Sequence, residues 1–151
     1  VGAHTRAPVP HVIAHGDLDR RARAYNNLGW ATHRLGDLDR ACDFYRRGLE
    51  AATELGLIEG QLWALFGLAV AEAEAGETRT AALLFGQMRA LATRLGAVND
   101  EQGDIERETF ARLEAALGPE RLEALLAAGA ALSLEDAIEL ALGRSDQASS
   151  S

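Results

Sequence analysis

The apolar positions of this chain recur with helical spacing from Asp17 almost to the end. The clearest case is the last segment. There Leu134, Ala137, Ile138, Ala141 and Leu142 fall at i, i+3, i+4, i+7 and i+8 and make one stripe. Ser133 stands where an N-cap should be, and Asp136 three residues later completes a capping-box arrangement. Glycines at Gly36, Gly56, Gly76, Gly96 and Gly118 punctuate the pattern where helices should stop. The spacing predicts helices over residues 17–35, 37–55, 58–75, 77–95, 100–117, 119–130 and 133–143. Residues 1–16, with Pro8 and Pro10 and no sustained period, read as a linker. The polar stretch 144–151, "RSDQASSS", reads as a disordered tail.

A shift of forty residues superposes the landmarks of two segments. Leu28 falls on Leu68, Gly36 on Gly76, Ala41 on Ala81, Tyr45 on Phe85, Thr53 on Thr93, Leu55 on Leu95 and Gly56 on Gly96. Each unit is a helix, a tight turn at Gly36 or Gly76, and a second helix. Small residues at Gly29 and Ala69, and at Ala41 and Ala81, stand where paired helices must approach closely. Tyr45 and Phe85 fill the gap between such a pair and the next helix. Hairpins of this kind cannot bury their apolar faces alone, so they stack. The repeat units are residues 22–56 and 62–96, with capping helices over 100–143.

Tyr25, Leu28, Gly29, Gly36, Ala41, Tyr45 and Gly48 resemble the signature of a tetratricopeptide repeat. Leu65, Leu68, Ala69, Gly76, Ala81, Phe85 and Met88 follow it with Met88 in place of a small residue. The period of forty exceeds the family's usual spacing of about thirty-four. The resemblance implies an all-α, right-handed superhelix of antiparallel helical hairpins, closed by C-terminal capping helices. A second resemblance rests on "ALSLEDAIELAL", Ala131 to Leu142, and on the run from "AALLFGQMRALATRLGA" onward. These are similar to the C-terminal ends of LuxR- and AfsR-like bacterial transcription regulators and of related cyclase-linked signalling ATPases. It implies a repeat domain placed after an ATPase. Neither that ATPase nor a DNA-reading helix is among the 151 residues.

Composition narrows the classes. Alanine and leucine dominate and aromatics are only 5 %, a mixture that favours helices. All fifteen basic residues are arginine, read as a codon bias. Net charge is −8; residues 1–56 carry eight Arg and seven acids, and residues 57–151 seven Arg against sixteen acids. Such a surface repels phosphate backbones, so direct nucleic-acid binding is not expected. A single cysteine, Cys42, excludes an internal disulfide framework and fits a cytoplasmic location. No apolar run reaches the roughly 18–20 residues that span a bilayer, and no signal peptide is visible. The chain opens on Val1, as a fragment or a processed chain would.

Candidate chemistry is sparse. His11 and His15 have i, i+4 spacing and His4 lies nearby, but no carboxylate or cysteine completes a metal set there. Cys42 stands beside Arg40, Arg46 and Arg47, which could lower its pKa, yet it occupies a small packing position whose counterpart is Ala82. No phosphate-binding loop, nucleophile elbow or acid–base pair is framed by a motif, so the chain is read as non-enzymatic, with no cofactor and no metal. The tetratricopeptide resemblance places the first helix of each hairpin on a concave surface. It implies a binding face of Arg23, Asn26, Asn27, Trp30, His33 and Arg34 from the first unit. Trp63, Phe66 and Val70 come from the second. Asn27 matches an asparagine that relatives use to hold a peptide backbone, because an amide offers a donor and an acceptor together; its counterpart is Gly67. The expected partner is a protein, a peptide or a small effector. The competing reading is a homodimerisation or scaffold module without a ligand.

Overall fold

The computed structural model of the chain describes residues 10–96 and 102–143, with side chains from Asp17 onward except Leu18. Seven helices make up this structure: α1 (Pro10–Arg34), α2 (Leu38–Leu55), α3 (Ile58–Glu74), α4 (Thr78–Leu95), α5 (Gly103–Leu117), α6 (Pro119–Ala131) and α7 (Leu134–Ala141). Among the described residues there is no strand, so the all-α expectation holds. The first helix begins at Pro10, seven residues before its predicted start and inside the stretch expected to be linker. Proline fits the first helical position, where its missing N–H would have no intrahelical partner. The remainder of that linker, residues 1–9, and the tail 144–151 lie outside the described residues.

The glycine turns explain why the chain folds back so tightly. Gly36 has φ +87° and Gly76 φ +92°, conformations that a side chain disfavours. Beyond each, an N–H reaches back over the helix end: Asp37 N–H donates to Thr32 O at 3.1 Å, and Glu77 N–H to Glu72 O at 2.9 Å. Carbonyls that the helix leaves unpaired are thereby satisfied. At the starts, Asp37 accepts from Arg40 N–H at 3.3 Å, and Ser133 Oγ from Asp136 N–H at 3.0 Å.

Packing follows the order of the chain through the first four helices. α1 lies on α2, α2 on α3 and α3 on α4, with α1 also touching α3. Helix α3 is apolar on nearly every side and is the most buried element, from Gln61 through Ala73 apart from Trp63. Ala41 and Ala81 are fully buried, as their close-approach role requires. Tyr45 and Phe85 are buried to the same degree. The edge of the Tyr45 ring lies against Gly29 of α1 and Gly67 of α3 at once. A Cβ on either glycine would overlap ring atoms Cδ1 and Cε1.

The C-terminal helices do more than cap the array. Helix α6 runs against α4 at backbone contact. A Cβ on Gly86 would collide with the Leu126 carbonyl, and one on Gly129 with the Leu83 carbonyl. Gln87, fully buried on α4, donates from Nε2 to Gly129 O at 3.0 Å and Leu132 O at 2.8 Å, the end of α6. Helix α5 crosses to α3, with Ile105 and Phe110 joining the core. Helix α7 is tied to α2 by Arg46, whose Nε donates to Ala141 O at 3.1 Å.

Ala41→Leu and Gly129→Ala should each lower stability by about 1–3 kcal/mol, since both insert atoms where no space exists. The phenol oxygen of Tyr45 is buried without a hydrogen-bond partner. Tyr45→Phe should therefore be neutral or stabilising by up to about 1–2 kcal/mol. Urea denaturation of the three variants checks all of this; an unchanged midpoint in Ala41→Leu would contradict the packing described.

Candidate functional site

Helices α1 and α3 occupy equivalent places in the two hairpins, and their aromatic residues meet. Trp30 on α1 is half-buried, and its indole rests edge-on against Tyr45 (centroids 5.9 Å apart, planes at 78°) and tilted against Phe66 (5.9 Å, 46°). Phe66 in turn meets Trp63 edge-to-face at 6.3 Å. Such arrangements match the positive edge of one ring to the negative face of the next. Residues spaced three or four apart on a helix face the same way. That is why Trp30 and His33 stack, with planes 1° apart and centroids 5.6 Å apart.

His33 joins the two helices. Its Nε2–H donates to Glu74 Oε2 at 2.8 Å, and its side chain is only 9 % exposed. The other ring nitrogen, Nδ1, is buried without a partner. Next to this aromatic run, Trp30 and Arg34 of α1 face Gln102 and Ile105 at the start of α5 across a cleft of about 400 Å³. The Gln102 Oε1 atom is buried and lacks a hydrogen-bond partner. Arg34 is exposed on the rim. The cleft thus combines an indole, an aliphatic wall and a guanidinium, with Gln102 beside them.

The nine residues expected on one concave face divide into four groups. Trp30, His33 and Trp63 belong to the aromatic run, and Arg34 reaches the cleft. Phe66 and Val70 are 1 % and 3 % exposed and serve as its floor, out of reach of a partner. Arg23 and Asn27 are exposed, Arg23 pairing with Asp19 on its own helix at 3.2 Å. Asn26 turns away from the groove: its Oδ1 lies where a Cβ on Gly48 of α2 would stand. It shares a stripe with Ala22 and Gly29, the stripe that α2 covers. The repeat pattern gives no hint of Gln102 and Ile105, because they come from the helix beyond the repeats.

The polar cluster around Cys42 lies elsewhere, where α2, α3 and the end of α7 border a cleft of about 670 Å³. Arg46 Nη2 donates to Glu72 Oε1 at 3.1 Å, and Cys42 Sγ lies 3.5 Å from the same oxygen. Burial, and secondarily the Glu72 carboxylate, pushes the Cys42 thiol up from 9.0 to about 12, against the opposing pull of Arg46. The activation that neighbouring arginines suggested is outweighed. Arg40 and Arg47 are also turned elsewhere, over the Phe44 and Tyr25 rings at 5.9 and 6.0 Å. Among the described residues no three His, Cys, Asp or Glu side chains converge as metal ligands would. The side chains of His4, His11 and His15 lie outside those residues.

Cys42 should stay unreactive toward a thiol-specific disulfide reagent at pH 9, where an ordinary thiol is half ionised, and react once urea unfolds the chain. Because its folded pKa is raised, its contribution to stability is present below about pH 9 and is lost as pH rises toward about 12. The pH 8 to 10.5 drop in the urea midpoint should shrink in Cys42→Ala; rapid labelling of the native chain would contradict the burial.

No protein-family model matches the chain, and no curated protein and no solved structure is significantly similar to it.

Proposed function

We propose that this chain is a non-enzymatic recognition module of tetratricopeptide type, a right-handed superhelix of two repeat hairpins. Its C-terminal helices would shape the groove rather than merely close it. The forty-residue correspondence supports the repeat assignment, with Ala41 and Ala81, and Tyr45 and Phe85, buried in equivalent roles. The observation that carries the recognition reading is the cleft between α1 and α5. A half-buried indole and an exposed guanidinium converge with Gln102 and Ile105 on about 400 Å³. Ligand sites are typically such mixtures of apolar wall and a few polar groups. A peptide segment fits this chemistry: an apolar side chain against Trp30 and Ile105, and a carboxylate paired with Arg34. A small effector of the same chemistry would serve equally.

The context is that of a cytoplasmic bacterial regulator of the LuxR or AfsR kind, or of a cyclase-linked signalling ATPase, as the C-terminal motif suggests. No described helix is long and apolar enough to cross a membrane. Because the cleft is bordered by both α1 and α5, an occupant would bridge the first hairpin to the C-terminal helices. That is a means of changing how the repeats present themselves to a neighbouring domain.

Selection of a displayed random-peptide library on the intact chain tests the reading. Enriched peptides should carry an acidic group next to an apolar side chain. Arg34→Glu should weaken them at least about tenfold without moving the melting transition, and Trp30→Ala should weaken them too while lowering that transition, because the indole packs on Tyr45 and Phe66. No enrichment, or binding indifferent to both substitutions, would contradict it. The chain should also fail to shift duplex DNA at physiological salt, given sixteen acids against seven arginines in residues 57–151. A salt-sensitive shift at micromolar protein would oppose that expectation.

A further inference from the structure

Helix α1 carries an apolar stripe that no other described helix covers. Ala24, Leu28, Ala31 and Leu35 succeed one another at intervals of four, three and four residues, so they stand in one row along the helix and its final turn. All four are exposed, Leu28 at 45 % and Leu35 at 84 %, the two largest exposures among the exposed large apolar side chains of the described residues. The forty-residue correspondence shows that this pattern elsewhere is a packing surface. The equivalents of the first three are Ala64, Leu68 and Ala71 on α3, each fully buried between packed helices, while Ala75, the equivalent of Leu35, is exposed just beyond that helix. The row on α1 therefore has the form of a helix-docking face without its helix.

We propose that the occupant is a second copy of this chain, the two α1 helices pairing antiparallel about a two-fold axis between Gly29 and Trp30. A two-fold contact requires one patch to complement itself. This row does so by size. With the axis there, Leu28 stands over the partner's Ala31, and Ala24 over the partner's Leu35, so every large side chain meets a small one. The reverse, parallel pairing would set leucine against leucine and leave the alanines apart.

The row spans eleven residue steps, roughly 17 Å of helix at about 1.5 Å per residue. A contact of that length buries less than the roughly 800 Å² per partner of a standard stable interface. The pair should accordingly form in the range of tens to hundreds of micromolar protein, a regime in which a linked or locally concentrated chain dimerises and a dilute one does not. The cleft beside Trp30, Arg34, Gln102 and Ile105 uses other side chains of α1, so the two properties are separable.

Sedimentation equilibrium of the intact chain from about 10 µM to 1 mM, with a cross-linking arm, tests this. The expected result is a reversible monomer–dimer equilibrium that Leu28→Glu abolishes while leaving the helical signal and the melting transition unchanged. In a Cys42→Ala background, mixing Ala24→Cys chains with Leu35→Cys chains should give a disulfide-linked pair on mild oxidation, and neither variant alone should. Monomer throughout the range would overturn the proposal. So would a dimer indifferent to Leu28→Glu, which would place the contact on another surface. Efficient cross-linking of Ala24→Cys with itself would overturn the antiparallel arrangement, and open-ended oligomers would replace the two-fold contact by a head-to-tail one.

Discussion

The side chain on which the first three helices depend is Tyr45. It leaves α2 and drives the edge of its ring between α1 and α3, where only the absence of a Cβ at Gly29 and Gly67 makes room. Glycine inside a helix costs about 1 kcal/mol relative to alanine, and two are needed here. Burying an aromatic ring removes on the order of 150–250 Å² from water, which at about 25 cal/mol/Å² contributes about 4–6 kcal/mol. Burial wins, and the two glycines are the condition for it. The same ring sets the indole of Trp30, which leans on it at 78°. A core contact thereby fixes the orientation of the residue at the centre of the proposed recognition cleft.

The C-terminal half solves the same problem with a different device. Where α2 inserts a ring, α4 and α6 remove side chains altogether and meet backbone to backbone at Gly86 and Gly129. Gln87 then donates to two carbonyls at the end of α6, Leu132 O and the Gly129 O that also accepts from Leu132 N–H. With α6 held so closely to α4, α5 is left to cross to α3, and its N-cap residue Gln102 and first-turn Ile105 line the cleft. The site is therefore a joint product of the two repeat hairpins and of the helices C-terminal to them. Neither part alone brings Gln102 and Ile105 to the cleft beside Trp30.

Much of the fold is legible because glycine and helical spacing speak locally. The stops at Gly36, Gly56, Gly76, Gly96 and Gly118 all mark real helix ends, each with a positive φ. The forty-residue shift picks out Ala41, Ala81, Tyr45 and Phe85 as packing residues, and all four are buried. What local spacing does not convey is which partner covers a given face. Trp30 and Asn26 lie one helical turn apart, yet the first meets Phe66 while the second turns toward Gly48. Phe66 and Val70 match groove positions but are buried, Phe66 beside the Trp30 indole, and no periodicity announces which side chains come to lie on them. Gln87 and the Arg46–Glu72 pair give no signal for the same reason: their partners are 42 and 26 residues away. The early start of α1 is hidden because Pro8 and Pro10 look like interruptions, whereas Pro10 occupies the first helical position.

A double-mutant cycle on Gly67 and Tyr45 tests the central claim most directly. If the ring edge is what forbids a Cβ on α3, Gly67→Ala should be strongly destabilising in the native background. In a Tyr45→Leu background the clash is gone, and alanine's better helix propensity should make the same substitution neutral or stabilising by up to about 1 kcal/mol. That reversal of sign between the two urea midpoints is the predicted result. An equal cost of Gly67→Ala in both backgrounds would mean that Tyr45 is not the wedge, and the packing account built on it would fail.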